Sequence, residues 1–598
     1  MQILVVNPFA FLQTAIIKSE DFAAFLYNIL RDSSYVFSIC LYSDEISPGM
    51  VLAARVPRKT QAIYWSVMEF GQPCLSREDA WFPMSTTRSA EVNKLSGGMA
   101  QMIKICLQQF LGDGKDSTMH DLRKGIVLVF PGGESVCVTG DFAAFINDER
   151  GHKFASSNKG SGGIKPCGLC ANCYNFRFRT FPDPSGFAVS SASPFFKEFK
   201  LYKDHELRAL VRRLKRATEI ADPKLNMMKE QYGYNYEPDG FMSDDHLNVR
   251  LASVWLYDWM HTLLIEGVFC KELRACIAKL TEDGNGYGIA TFRKCLHSFT
   301  TPQRIASGSR LCDKNPPDGT ASEWLSAVPV IRKLCLDFLI NLAPDCEGAL
   351  RSLVACCDVV IALSAGETSR TTPEKLASLI EDYLVLHLAE YMESQFIPKH
   401  HYLLHLVGNL NAWAFLLSTF VHERKHRLVK RHAGNKQSMK NMSRNLLEDV
   451  VLECLWDLEA DGLATVTLEI AKPVSEHLLS LFRVMHPHSL GPVETSLEVR
   501  INERRIHRND VIAFTESSEL CIGKLMAHAR CGRDTIVVIE QWEIVGRRAS
   551  GTLRCMVRTG TAIALDMPAV IEPLTHGEVK PDAICEVIVP VALLDLVK

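Results

Sequence analysis

The pattern of apolar and polar residues changes character along the chain. Residues 1–32 carry an apolar helical pattern, and a helical pattern returns at about 87–111. Between and after these regions, β-branched and aromatic runs predict strands at 34–42, 51–56, 61–68, 126–130 and 135–139. A further helix is predicted to begin at Asp141, so the first 150 residues predict an α/β domain.

The rest of the chain predicts two further regions. From about 150 to 400 the pattern is mostly helical, for example over 207–221, 252–268 and 372–396. After 495 short β-rich runs appear, such as 535–539 and 583–589, and these favour a small barrel-like domain. The predicted domains are an N-terminal helical segment, the first part of an α/β core, a helical insertion, the last part of the core, a helical linker and a β-rich domain, at 1–32, 33–150, 151–399, 400–450, 451–494 and 495–598.

Composition and charge narrow the class of protein. With 598 residues, 47% hydrophobic and 23% charged, the chain has the composition of a soluble globular protein of several domains. The net charge of −3 means that any nucleic-acid contact must come from local basic patches. Twenty scattered cysteines, a start without a basic leader and the lack of a long unbroken apolar run predict an intracellular, reducing location and no membrane partner.

Three acidic residues stand in contexts that suit metal binding. Asp44 follows the apolar run 36–43, Asp141 follows the run 135–140, and Glu423 lies in a helical stretch. Carboxylates that hold two divalent ions about 3.5–4 Å apart support phosphodiester chemistry. Each acid alone is more often a turn former or a helix cap, so the prediction depends on the set.

Two pairs of residues have the spacing of zinc ligands. Cys167 and Cys170 form a Cys-x2-Cys pair, with Cys173 as a third thiol nearby. On the other side, either His400 or His401 combines with His405 in a helix that begins near Pro398. Free thiols and core histidines are the alternative interpretation.

One histidine and one basic run complete the candidates. His261 lies in the stretch 255–268, read here as an amphipathic helix, where it is either a hydrogen-bonded core residue or a donor to a phosphate. Eight Lys or Arg residues follow Glu423 before residue 445, and such a run beside metal carboxylates favours contact with a DNA backbone. The residues predicted to bind DNA are Arg424, Lys425, Arg427, Lys430 and Arg431. A second basic patch, over 208–216, is diluted by acidic neighbours.

The ordered set resembles the DDE transposases of the CACTA-like group, which includes CACTA, Mirage and Chapaev elements. The resemblance covers roughly 35–435 and consists of Ser-Asp-Glu after a strand, Thr-Gly-Asp, Cys-x2-Cys, Asp-x-Met-His and Glu-Arg with trailing basic residues. The set is also similar to the catalytic core of the V(D)J recombinase. The resemblance departs at the N-terminus, where only 43 residues precede Asp44, and it does not cover the C-terminal β-rich region.

The resemblance implies an RNase H-like core, whose strand and helix order the first 150 residues match with one extra strand. It implies that Asp44, Asp141 and Glu423 hold Mg2+ (or Mn2+), that Cys167, Cys170, His400 and His405 hold Zn2+, with His400 preferred over His401, and that His261 lies near the scissile phosphate. The expected activity is cutting and joining of double-stranded DNA, at transposon ends and target, by a nuclear homodimer that uses no small-molecule substrate. The alternatives are a catalytically inactive, host-adopted DNA- or chromatin-binding protein that retains the fold, and a metal-dependent nuclease without strand transfer.

Overall fold

The computed structural model divides the protein into two compact units. The first comprises Met1–Thr262, Phe396–Asn409 and Leu417–Ala464, and the second comprises Leu263–Gln395, Leu410–Leu416 and Thr465–Lys598. The residues that the structure describes are 3–47, 58–115, 119–177, 187–282, 284, 286–303, 305–367, 369–436, 441–463, 466–469, 471–501, 504–516, 519–532, 534–557, 562–566, 570–579 and 583–589.

The helices and strands of the described residues are numbered in chain order. The helices are α1 Pro8–Lys18, α2 Glu20–Asp32, α3 Gly71–Leu75, α4 Ser89–Val92, α5 Gly98–Leu111, α6 Glu149–Ser156, α7 Asp204–Glu219, α8 Leu225–Tyr232, α9 Trp259–Leu263, α10 Val268–Glu282, α11 Ile289–His297, α12 Ala321–Leu334, α13 Ile340–Leu342, α14 Glu347–Glu367, α15 Pro373–Tyr391, α16 Pro398–Trp413, α17 Phe420–Asn435, α18 Met442–Asp461 and α19 Glu476–Met485. The strands are β1 Val36–Ile46, β2 Thr60–Val67, β3 Phe82–Arg88, β4 Ile126–Val129, β5 Ser135–Asn147, β6 Cys173–Tyr174, β7 Val189–Ser190, β8 Trp255–Tyr257, β9 Phe299–Thr300, β10 Val466–Glu469, β11 Lys472–Pro473, β12 Glu494–Thr495, β13 Glu498–Ile501, β14 Arg504–His507, β15 Val511–Glu516, β16 Glu519–Cys531, β17 Asp534–Arg547, β18 Leu553–Met556, β19 Ala562–Asp566, β20 Val570–Pro573, β21 Thr575–Gly577 and β22 Ile584–Ile588.

A mixed sheet forms the centre of the first unit, as the α/β prediction required. Its strands lie in the order β3-β2-β1-β5, with β1, β2 and β3 antiparallel to one another. Strand β5 runs parallel to β1 and β8 runs parallel to β5, whereas β4 pairs antiparallel with the first part of β5. The carboxyl ends of β1, β5 and β8 therefore lie side by side at one edge of the sheet.

Strand β5 is the largest departure from the predicted elements. The sequence predicted a helix from Asp141, but the strand runs on through the buried residues Phe142–Ile146 and ends at Asn147. A fully buried parallel strand is apolar without alternation, so its pattern does not distinguish it from a buried helix. The true helix, α6, begins at Glu149, with Asp148 as its cap.

Other elements were predicted with mixed success. The N-terminal helical segment is confirmed, as α1 and α2, and the runs at 61–68 and 126–130 are strands β2 and β4. Strand β3 was not predicted, and the predicted helix over 252–268 is wrong, because this stretch forms strand β8 and the short helix α9. The predicted strand at 51–56 lies outside the described residues.

Aromatic side chains build the core around the sheet. The ring of Trp65 on β2 packs against Phe82 on β3 at 5.0 Å and against Phe110 on α5 at 5.2 Å. Phe11 of α1 reaches Phe82 from another direction at 5.1 Å. Helices α17 and α18 also pack on this sheet, against β1 and β3 respectively. Packing of these rings and helices on the sheet holds in place the strands whose ends carry the acidic residues.

The second unit combines helices with a β-rich sheet. Helix α14 packs against α10, α12 and α15. The stretch Pro344–Glu367 that contains α14 is long and apolar enough to span a membrane, but 61% of its apolar window is buried inside the protein, as in a core helix. Toward the C-terminus, β16 and β17 form the centre of a mainly antiparallel sheet. This confirms the predicted β-rich region, while its closure into a barrel stays a prediction.

Candidate metal centres

Asp44, within β1, and Asp148, directly after the end of β5, lie at matching positions along two neighbouring parallel strands. The register pairs Tyr42 of β1 with Ile146 of β5, and each aspartate follows two residues later. The charge of Asp148 contributes to raising the pKa of Asp44, so the two carboxyl groups are electrostatically close. Asp148 also accepts a hydrogen bond from the Gly151 amide at 2.6 Å, which fixes its side chain at the start of α6.

Helix α17 brings a third carboxylate to Asp44. The ligand atoms of Asp44, Glu423 and His426 all lie within 4.8 Å of one another. The Nδ1 atom of His426 is 3.7 Å from Asp44 Oδ2 and 3.8 Å from Glu423 Oε2. The structure therefore brings together two of the three predicted acids, Asp44 and Glu423, which are 379 residues apart in the sequence.

A stack of aromatic rings holds α17 against the sheet. The imidazole of His422, which is fully buried, lies 3.8 Å from the ring of Tyr42 and 4.1 Å from that of Trp81. Burial is the main reason that the pKa of His422 is well below its ordinary value, so the ring is neutral and packs as an aromatic group. Because Glu423 is the next residue, this stacking fixes the helix position that presents it.

The structure does not place Asp141 in this cluster, which corrects the predicted triad. Asp141 is paired with Ser38 in the register of β1 and β5, six residues before Asp44. At about 3.3 Å per residue the separation along the strand is about 20 Å, far beyond a metal-pair distance. Its Oδ1 atom instead accepts hydrogen bonds from the Arg123 guanidinium at 2.8 and 3.0 Å. The second strand-end acid is Asp148.

Asp258 is a buried junction at the end of β8. Its carboxylate accepts hydrogen bonds from the Thr419 amide at 2.9 Å and the Thr419 hydroxyl at 2.7 Å, which anchors the residue before α17. It also lies 2.6 Å from Nδ1 of His261. One carboxylate therefore ties the end of the parallel sheet, the short helix α9 and the start of the helix that carries Glu423.

Burial and neighbouring charges shift the pKa values of two groups in this region, Asp44 and His261. Burial raises the pKa of Asp44 to about 7, with the charges of Glu423 and Asp148 adding to the effect. Burial opposes charging of His261, but the hydrogen bond and charge of Asp258 outweigh it and raise the pKa of His261 to about 9. At neutral pH, His261 is therefore an imidazolium beside a group of carboxylates that concentrates negative charge.

A cleft of about 360 Å³ opens beside the acids. Asp148 and His261 contribute to its wall, and so do the side chains of Arg150, Lys153 and Lys399. The amino group of Lys399 donates a hydrogen bond to the His261 carbonyl at 2.8 Å, which places one cation close to the imidazolium. The cleft thus combines carboxylates that suit cations with side chains that suit a phosphate.

A second cluster joins the Cys-x2-Cys segment to α16. Cys167, Cys170, His401 and His405 are all buried, and their ligand atoms lie within 4.8 Å of one another. The Sγ–Nε2 distances are 3.2 Å from Cys167 to His405 and 3.5 Å from Cys170 to both histidines. A tetrahedral zinc ion with ordinary bond lengths separates sulfur and nitrogen ligands by about 3.5 Å. The donor set and the spacing therefore fit a metal such as zinc.

His401, rather than His400, belongs to this cluster, which corrects the predicted ligand set. On a helix with 3.6 residues per turn, His401 and His405 differ by about 40° around the axis, whereas His400 and His405 differ by about 140°. His400 is instead stacked on Phe396 at 4.5 Å, and its Nδ1 accepts a hydrogen bond from the Ile397 amide. Cys173 stays at the edge of the cluster, 4.0 Å from His401 Nδ1.

The basic residues after Glu423 divide into two groups. Lys425 is buried, donates to the Glu78 carbonyl at 2.7 Å and lies over the Tyr64 ring, so its predicted contact with DNA is wrong. Arg424 is engaged with Ser76 and Glu78. Arg427, Lys430 and Arg431 are exposed, although Arg431 also pairs with Glu453. The face available to a phosphate backbone is therefore smaller than predicted.

The sequence interpretation missed Asp148, Asp258 and His426. Asp148 comes two residues after the apolar run 142–146 and precedes a helix, so its position was readable once that run is taken as a strand. Asp258 was visible in the Asp-x-Met-His pattern but received no role. His426 lies one turn after Glu423, on the same helix face.

Comparisons with known proteins give no family. No model of a known protein family matches the chain. No curated protein matches it either. The fold and the two clusters must therefore support any functional conclusion by themselves.

Proposed function

We propose that the first unit is an RNase H-like, metal-dependent enzyme that cuts and joins DNA strands, as the DDE transposases do. The acids would be Asp44, Asp148 and Glu423, with Mg2+ or Mn2+ as the cofactor. The observation that carries the proposal is the meeting of Asp44, near the end of β1, with Glu423 from a distant helix, while Asp148 follows the end of the adjacent parallel strand. Chromosomal double-stranded DNA is the substrate, which implies a nuclear location and, by the resemblance, a homodimer.

The strand order supports this proposal. An RNase H-like sheet has three antiparallel strands followed by two parallel ones on the side of the first strand. Here β3, β2 and β1 supply the antiparallel part, and β5 and β8 supply the parallel part. The short β4 is the extra strand, because it extends only the first part of β5.

The residues around the acids suit work on a phosphodiester. Divalent ions between the carboxylates would supply charge stabilisation at the attacking and leaving oxygens. The imidazolium of His261, oriented by Asp258 at 2.6 Å, donates a hydrogen bond to a phosphate oxygen. Arg150, Lys153 and Lys399 hold the strand in the adjacent cleft through its backbone, which gives affinity without sequence preference.

DNA nicking with matched variants tests the assignment. The substrates are supercoiled plasmid and a duplex that carries any inverted repeats flanking the coding sequence, with Mg2+ or Mn2+. Asp148→Asn keeps a residue able to cap α6 but should lower the rate at least about 100-fold, because even changes behind a metal ligand cost 10–100-fold. Asp141→Asn is the control and should cleave at the wild-type rate. Loss of cleavage in Asp141→Asn together with retained cleavage in Asp148→Asn would return the second acid to Asp141. No cleavage by the wild type or either variant would favour the catalytically silent DNA- or chromatin-binding alternative.

We infer further that the Cys/His cluster holds Zn2+ and that the ion is structural. All four ligands are buried, so the site has the closed form of a structural centre rather than the open form of a catalytic one. The ion would connect Cys170 with His401 of α16, which lies 231 residues later in the sequence. Metal analysis of the purified protein tests this and should give one zinc per chain.

A further inference from the structure

The imidazole of His426 is aimed at the gap between Asp44 and Glu423. Its Nδ1 atom is 3.7 and 3.8 Å from the two carboxylates. The residue is 1% exposed, its Nδ1 atom faces the two carboxylates from beyond hydrogen-bond distance, and its Nε2 atom has no hydrogen-bond partner within the part of the chain that the structure describes. A buried imidazole normally has a hydrogen-bond partner, so this one requires an explanation.

The position of His426 is fixed from two sides. It lies three residues after Glu423, so both side chains project from the same face of α17. Its ring also packs near Tyr42 at 5.9 Å and Tyr64 at 5.8 Å, the same tyrosines that hold His422. The ring therefore cannot swing into solvent without unpacking the helix from the sheet.

The distances from His426 Nδ1 to the two carboxylates fit atoms that bind one shared metal ion better than atoms that form hydrogen bonds. A hydrogen bond between a nitrogen and a carboxylate oxygen spans about 2.7–3.2 Å. Two ligands of one ion, each about 2.2 Å from it, lie about 3.1 to 3.6 Å apart in octahedral or tetrahedral arrangements. The observed separations of 3.7 and 3.8 Å lie just above that range, and a slight contraction of the three side chains around an ion would bring them into it.

We propose that His426 is a third protein ligand of the ion held by Asp44 and Glu423, and that this nitrogen donor makes the site prefer Mn2+ to Mg2+. Magnesium takes oxygen ligands almost exclusively in proteins, whereas first-row transition ions accept imidazole readily. The inference rests on the proposed function for the presence of a catalytic ion, but it concerns the identity of that ion. It also assigns a role to a residue that the acidic triad does not include.

Electron paramagnetic resonance on the full-length, zinc-loaded protein tests the ligand directly. Mn2+ bound to wild-type protein should show magnetic coupling to an imidazole 14N nucleus. In His426→Phe that coupling should disappear and the Mn2+ dissociation constant should rise about tenfold or more, as expected when a ligand is lost. His422→Phe is the matched control, since it replaces a buried, stacked histidine on the same helix and should retain the coupling and the affinity.

The outcomes separate this inference from the proposed function. Wild-type Mn2+ without nitrogen coupling would overturn the inference without any variant, even if His426→Phe does not fold. Coupling that persists in His426→Phe would overturn it as well. Nitrogen-coupled Mn2+ in a protein that nicks no DNA would support the inference and remove the proposed function. DNA nicking that is as fast with Mg2+ as with Mn2+, in wild type and in His426→Phe alike, would support the proposed function and overturn the inference.

Discussion

Among single residues, Asp258 is a buried carboxylate that connects several elements of the first unit. It is 1% exposed and joins the end of β8, His261 and Thr419. Burial raises the pKa of its carboxyl, but the hydrogen bonds from His261 and Thr419 outweigh burial and hold that pKa below its usual value. A buried charge that is this well paired is costly to unpair.

We therefore expect Asp258→Asn to loosen α17. The variant keeps the size of the side chain but removes the charge that pairs with His261, and breaking a buried pair costs about 3 kcal/mol or more. Hydrogen exchange measured by mass spectrometry should show α17 amides exchanging about 100-fold faster. The control is Asp245→Asn, which breaks the exposed pair with Arg212 and should cost less than about 1 kcal/mol. Equal protection of α17 in the two variants would show that Asp258 does not anchor it.

The same pair predicts a pH dependence. The pKa of His261 is raised from 6.5 to about 9 by Asp258, so the folded state binds the proton more tightly than the unfolded state. The stabilisation is fully present below about pH 6.5 and is lost as the pH rises through about 9, a change of up to about 3 kcal/mol. Protection of α17 from hydrogen exchange, compared between pH 6 and 9.5, should therefore fall in the wild type. In Asp258→Asn this fall should be absent, and an unchanged fall in the variant would assign the effect to another group.

At the scale of elements, the sequence predicted what short-range patterns determine. The alternating and β-branched runs of β1, β2 and β4 were readable, and so were the helices α7 and α15. The run 142–146 was not, because a buried parallel strand and a buried helix share an unbroken apolar pattern. Because of that single ambiguity, the sequence interpretation took Asp141 as the strand-end acid, whereas Asp148 is the acid that follows the end of β5.

The Cys/His cluster shows a different limit of sequence-based prediction. Spacing alone made the Cys-x2-Cys pair a candidate, with free thiols as the alternative, and it left both His400 and His401 as possible partners of His405. Which of the two faces the thiols depends on the rotation of α16 about its axis. Packing of Tyr402 on Tyr257 at 4.5 Å sets that rotation, and the partner ring lies 145 residues earlier in the chain. The four-residue spacing of His401 and His405 on one helix face was readable from the sequence, but the long-range contact that turns this face toward the thiols was not.

Variants in the Cys/His segment should differ in metal content. We expect Cys170→Ser to lose zinc and to lower the thermal midpoint of the first unit, because a structural zinc site contributes directly to folding. Cys173→Ser is the control in the same segment, since its sulfur lies 4.0 Å from His401 Nδ1 at the cluster edge, and it should keep one zinc per chain. Chelation of the wild type should reproduce the Cys170→Ser midpoint. Zinc retained by Cys170→Ser but lost by Cys173→Ser would show that Cys173, and not Cys170, is the metal ligand.

At the scale of the whole molecule, the net charge of −3 means that attraction to DNA must be local. Arg427 and Lys430 are exposed on α17, the helix that carries Glu423. Arg150, Lys153 and Lys399 add cations beside Asp148. These groups are few, so the affinity should be moderate and should fall with salt in proportion to the small number of phosphate contacts.

Removing two cations from α17 should therefore weaken DNA binding in a particular way. We expect Arg427→Ala with Lys430→Ala to reduce the affinity for duplexes of any sequence and to lower the salt slope, d log K/d log[salt], by about 2, one for each phosphate contact. The matched control, Lys314→Ala with Arg351→Ala, removes the same charge from exposed side chains of the second unit and should leave the slope unchanged. Fluorescence anisotropy titrations give both slopes. They are run between about 50 and 200 mM salt, where counterion release changes the affinity measurably. If the two double variants lose the same affinity, binding depends on the net charge of the molecule. Such a result would contradict a role for α17 in contacting phosphates.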